Sequence, residues 1–173
     1  MQANGKTTII TGNGKGKTTS AMGLMVQAAT AGRRIYFGQF MKQGRYSEIK
    51  MLRDAFPEIT IDQYAGGFVI GRDPKDEDKQ LAQHGITKAA QTLTSGQYDL
   101  IVLDEINIAL FLELVTLPQV LDLIESKPPH IDLVLTGRYA DPQATAGADA
   151  TYEMLQVKHY YNNGVAARLG IEM

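Results

Sequence analysis

Cysteine is absent from this 173-residue chain, so it holds neither a disulfide framework nor a thiolate metal site. Histidine is nearly as scarce, and His84, His130 and His159 are too scattered to suggest an imidazole metal centre. No window approaches the ~18 uninterrupted apolar residues of a membrane span, and the opening MQANGK lacks the apolar core of a secretory leader. A cytoplasmic protein with no membrane partner is therefore expected. Excess charge is missing too. The net charge is −2 and the basic residues are dispersed, which gives no electrostatic footprint for nucleic acid or an acidic membrane. There is no internal repeat and no low-complexity tract. A chain of this length is most economically one domain, residues 1–173, able to bury about two-thirds of its unfolded surface.

What the chain has is glycine and lysine in alternation. TGNGKGKTT, residues 11–19, follows the β-prone run Thr7 to Ile10 and precedes a helix-compatible segment from Thr18 to Ala31. Strand, glycine loop and helix N-terminus make an anion cradle, because Gly12, Gly14 and Gly16 let the loop N–H groups turn inward beside the positive end of the helix. Asn13, Lys15 and Thr19 complete the loop. Lys17 is placed to reach a phosphate oxygen and the Thr18 hydroxyl to ligate Mg²⁺. The spacing departs from G-x-x-x-x-G-K-[ST], since Thr11 stands where the first glycine belongs and Gly12 comes one residue late. Either Thr11 takes that glycine's place or the loop is one residue tighter.

Further along, apolar runs alternate with helical periodicity. Strands are expected at Ile35–Phe40, Ile59–Tyr64, Leu100–Leu103 and Ile131–Thr136, around Tyr152, and from Ala167 to Met173. Helices are expected from Ser47 to Ala55, from about Lys75 to Leu93, from Leu117 to Ser126 and from Asp141 to Ala148. Such alternation predicts an α/β fold of the P-loop NTPase kind, an open, mostly parallel sheet with helices on both faces and the ligand at the carboxyl ends of the strands. The most apolar strand ends in Asp104-Glu105, the Walker B pattern of a carboxylate facing phosphate and metal. Arg138, just past another strand end, is placed either to fork onto phosphate or to form a surface ion pair. A glycine-rich loop of more than usual length, from Ala65 to Lys79, is a candidate binding segment.

Together GNGKGKTT, LDE at 103–105, LTGR at 135–138 and the tail VKH…GV…GIE at 157–172 resemble the bacterial ATP:corrinoid adenosyltransferases of the CobA/CobO/BtuR type. The resemblance runs over nearly the whole chain from Thr7. It implies transfer of the 5′-deoxyadenosyl group of MgATP to the cobalt of a reduced corrinoid, with release of triphosphate, by a homodimer supplied with electrons by a reductase. Cob(I) is then itself the nucleophile, so placement and electrostatics fall to the protein. Lys17 and Glu105 take the catalytic positions, and Thr18, Glu105 and Asp104 those nearest Mg²⁺, with Glu105 favoured as ligand. Gly67, Phe68 and Ile70 match the segment that meets the lower face of the corrin. Ile70 stands where relatives often carry tryptophan, and only six residues precede Thr7 where relatives have a longer helical arm. Tyr46 or Ser47 is a candidate for contact with the ribose. From the P-loop and acidic strand end alone, a small kinase or NTPase is the rival reading. A nucleotide-dependent corrinoid carrier without turnover is another.

Overall fold

The computed structural model describes residues 4–42, 47–66, 73–168 and 170–171. Six strands form one sheet: β1 (Thr7–Thr11), β2 (Ile35–Phe40), β3 (Thr60–Tyr64), β4 (Leu100–Asp104), β5 (Asp132–Thr136) and β6 (Ala150–Glu153). All neighbouring pairs are parallel, in the order β3-β2-β4-β5-β1-β6. The helices are α1 (Lys17–Thr30), α2 (Ser47–Ala55), α3 (Asp76–Thr94), α4 (Ile106–Phe111), α5 (Leu117–Glu125) and α6 (Pro142–Gly147).

Parallel strands covered on both faces need apolar side chains on both, and the central strands supply them through most of their length, with polar residues toward their ends. Alternate residues then divide between two cores. Ile9, Tyr36, Ile101, Leu103, Leu133 and Leu135 face α3, α4, α5 and α6. Ile10, Phe37, Leu100, Val102 and Val134 face α1 and α2 through Met25, Ile49 and Leu52. β3, at the edge, is only partly buried, in keeping with the alternation of ITIDQY.

Helix ends follow local chemistry. Pro118 sits in the first turn of α5, whose capping box joins Thr116 to Gln119. The acidic cluster Asp76 to Asp78 occupies the first turn of α3, where it meets the positive end of the helix. At the amino edge of the sheet, Arg34 Nη2 lies 2.8 Å from Asp99 Oδ1 and ties the starts of β2 and β4. Among the described residues the last expected strand, Ala167–Met173, is not seen. Among the described residues of 165–171 there is no regular strand, and a short 3₁₀ turn at Tyr160–Asn163 precedes them. These residues are mostly exposed, with Gly164 and Gly170 at positive φ, so the segment has no sheet face to bury.

Gly85, within α3, lies against β2 and β3. A β-carbon there would come within 2.7 Å of both Phe40 Cε1 and Tyr64 Cγ. Alanine gains about 1 kcal/mol of helix propensity but overpacks the core by about 1–3 kcal/mol. Gly85→Ala is therefore expected to lower the denaturation midpoint; an increase would show that the aromatic rings yield without cost.

Candidate functional site

The site lies where the carboxyl ends of β1, β2, β4 and β5 meet. β1 continues through Thr11, and the glycine loop opens at Gly12. Gly12 and Gly16 have φ of 95° and 117°, backbone that suits glycine. Gly14 is required for another reason: a β-carbon on it would meet the carbonyl oxygen of Met154 at 2.6 Å. The segment after β6 forms this wall, and Gly14 N–H donates to that Met154 oxygen at 2.6 Å. Asn13 and Thr19 are exposed, as is Lys15, whose Nζ donates to the Tyr160 hydroxyl at 3.1 Å.

Lys17 is buried in the loop it belongs to. Its Nζ donates to the carbonyl oxygens of Gly12 at 2.7 Å and Gly14 at 2.8 Å. Burial, followed by the nearby Arg138 guanidinium, holds its ammonium below the ordinary lysine range, and the Glu105 and Lys42 charges act in smaller, opposed ways. Arg138 itself is exposed at the turn after β5.

Asp104 ends β4 with no solvent exposure, so its carboxylate must be met by donors. Thr18 Oγ1 and Thr136 Oγ1 donate to its Oδ1 at 2.9 and 2.6 Å, and Gln39 Nε2 donates to Oδ2 at 3.0 Å. Gln39 Oε1 accepts in turn from Gln63 Nε2 at 2.8 Å. β5 lies between β1 and β4, and Thr136 bridges the gap by also accepting the Glu105 N–H at 3.1 Å. Glu105 has left-handed backbone, φ 59°, and its side chain lies 3.0 Å from Lys42 Nζ. Burial alone would lower the Lys42 ammonium, but the Asp104 and Glu105 carboxylates outweigh it and hold the pKa above the ordinary value.

The expected residues Lys17, Thr18, Asp104, Glu105 and Arg138 are thus gathered at one edge, but Thr18 meets Asp104 rather than Glu105. Gly67, Phe68 and Ile70 lie outside the described residues, as does Tyr46; Ser47 is present, and its Oγ accepts the Gly170 N–H at 3.2 Å. Gln39, Lys42 and Thr136 were not expected. Polarity at the end of an otherwise apolar run is the signal that Gln39 and Thr136 carry in the sequence. Among the described residues, four that are not glycine have positive φ, and three of them, Met41, Glu105 and Tyr139, follow strand ends at this edge. Backbone strain so placed accompanies binding sites.

The profile of the ATP:corrinoid adenosyltransferase BtuR/CobO/CobP family matches residues 3–173. The chain belongs to this family. A corrinoid adenosyltransferase of Pseudomonas aeruginosa is 35% identical over 93% of this chain and 80% of its own length. The corrinoid adenosyltransferase CobA of Salmonella typhimurium is 31% identical over 95% of this chain and 83% of its own. A KaiC-like protein of Pyrococcus horikoshii shares the fold, with a TM-score of 0.57 at 14% identity over 90% of this chain and 74% of that one.

For this adenosyltransferase, Asp104→Asn offers a separation of charge from shape. Gln39 and Gln63 can flip their amides in relay to accept the new Nδ2–H, so the fold should survive while the charge is lost. Turnover with Mg²⁺ and ATP is expected to fall by on the order of 100-fold, about 3 kcal/mol. Wild-type turnover in a folded Asp104→Asn protein would remove the carboxylate from the site's chemistry.

Proposed function

We propose that the chain binds ATP with its triphosphate in the cradle from Gly12 to Thr19 and transfers the 5′-deoxyadenosyl group to the Co(I) centre of a reduced corrinoid. The observation that carries this reading is the meeting of the buried Lys17 ammonium with the linked Thr18 and Asp104 oxygens at one sheet edge, in a chain of this family. The cobalt lone pair forms the bond to C5′ of the ribose, the C5′–O bond breaks, and its electron pair leaves on the triphosphate. No covalent enzyme intermediate is needed. The protein's part is to align C5′ with cobalt and to stabilise the departing polyanion.

Lys17 is suited to the second task. In the free protein its Nζ donates to two loop carbonyls, and a phosphate oxygen offers it an anionic partner instead. Arg138 adds a second cation, placed close enough to Lys17 for their charges to interact.

Thr18 Oγ1 and Asp104 Oδ1, hard oxygens 2.9 Å apart, suit Mg²⁺, which usually takes one or two protein oxygens and completes its shell from phosphate and water. Bound there, Mg²⁺ would supply positive charge to the triphosphate leaving group. The Thr18–Asp104 contact supports Asp104 as a ligand alongside the expected Glu105, whose carboxylate is paired to Lys42.

Gly67, Phe68 and Ile70 are the corrinoid contacts in this reading. A separate reductase, a homodimeric assembly and a cytoplasmic location complete it.

Anaerobic incubation with MgATP and chemically reduced cobalamin tests the proposal. The expected products are a photolabile adenosylcobalamin and an equal amount of triphosphate. Release of ADP without a cobalt–carbon bond would point to phosphoryl transfer, and binding without either product to a carrier. Lys17→Ala is expected to lose about 3 kcal/mol or more of transition-state stabilisation, on the scale of an oxyanion donor, and near-normal turnover would refute its role.

A further inference from the structure

We propose that the stacked Phe111–Tyr139 pair at the rim of the site is the shelf on which the adenine ring of the nucleotide lies, an inference that rests on the ATP-binding reading above. The two rings are 4.3 Å apart between centroids and inclined at 35°. Both remain more than half exposed, Phe111 at 57% and Tyr139 at 52%, so burial in a core does not account for them. Tyr139 also has φ 60°, backbone that a bulky residue adopts at a cost and glycine adopts freely. A strained, exposed tyrosine calls for a use of its ring.

The surrounding hydrogen bonds put the turn that bears this ring beside the cradle. Gly137 N–H donates to Ile10 O at 3.2 Å, and Ala140 N–H donates to Thr11 Oγ1 at 3.3 Å. Ile10 and Thr11 are the residues that run directly into Gly12, so the turn carrying Arg138 and Tyr139 is fastened on both sides to the strand that feeds the phosphate loop. α4 grips the same turn from the other direction. Buried Asn107 donates from Nδ2 to Gly137 O at 3.2 Å, and Phe111, four residues on and therefore on the same helical face, stacks on Tyr139. Arg138 immediately precedes the shelf and interacts electrostatically with Lys17.

A ligand at this place offers phosphate to the cations and a flat heteroaromatic ring to the aromatic pair, which is what ATP carries. Tyr160 is also near the loop, but its ring is engaged by Arg168 at 4.9 Å and by the His159 ring at 4.7 Å.

Equilibrium binding of ATP and of inorganic tripolyphosphate, both with Mg²⁺, to the full-length protein separates base from phosphate contacts. Tyr139→Gly relieves the backbone strain, so thermal stability should be unchanged or higher. Its ATP affinity is expected to fall about fivefold or more, the low end of what base stacking on an aromatic ring contributes, with tripolyphosphate affinity unchanged. Tyr139→Phe should retain ATP binding, and Phe111→Leu should weaken it selectively. Equal weakening of both ligands would overturn the proposal, since the turn would then act only by placing Arg138. Unchanged ATP affinity, with a change in corrinoid affinity or sedimentation instead, would overturn it in favour of a corrin contact or a subunit interface. A wild-type protein that binds ATP with this selectivity but forms no cobalt–carbon bond would refute adenosyl transfer and leave the shelf standing. Failure of the wild type to bind ATP would refute both.

Discussion

A carboxylate without solvent exposure organises this edge of the protein. Asp104 must find donors inside the fold, and it finds them on three different elements: Thr18 in α1, Thr136 at the end of β5 and Gln39 at the end of β2. Satisfying one buried group therefore fixes α1 against the centre of the sheet. Strand order makes the bridge necessary, because β5 separates the strand before the phosphate loop from the strand that bears the acid. The two apolar cores hold the sheet together, while this polar knot sets the positions of Thr18, Gln39 and Thr136 around Asp104.

The complementary charge is kept in an unusual place. Lys17 is buried among carbonyls of its own loop, and desolvation disfavours its ammonium. Its loop is in turn backed by the segment after β6, through Gly14 and Met154. An arriving polyanion can thus draw on a cation that the free protein holds at some electrostatic cost, with Arg138 nearby. In the proposed reaction cobalt brings its own nucleophilic electron pair, and placement and leaving-group stabilisation are the contributions that reading leaves to the protein.

Much of this was legible in the chain. The alternation of glycine and lysine at 12–17, the apolar run ending in Asp104-Glu105, and the repeated strand–helix pattern each reflect local physics, and the structure brings them to the one sheet edge where they were expected to meet. Contacts between elements distant in sequence were less accessible. That Gln39 faces Asp104 depends on β2 pairing with β4, and that Gly14 must lack a side chain depends on where Met154 passes. The strand expected at Ala167–Met173 is absent among its described residues for a related reason: these residues are exposed and meet no sheet face on which to bury. Tyr139 shows the converse, a residue ordinary in sequence whose positive φ emerges only when the turn is built.

The state of Lys17 is the most direct test of this account. Nitrogen-detected NMR titration of the Lys17 side chain, with and without tripolyphosphate and Mg²⁺, would follow its ammonium. The free protein should lose that proton below the ordinary lysine range. Bound polyanion should raise the pKa, so that within the intervening pH interval binding takes up a proton and affinity declines as pH rises. A Lys17 resonance that titrates at the same pH in both states would contradict the claim that this lysine is held in reserve for the triphosphate.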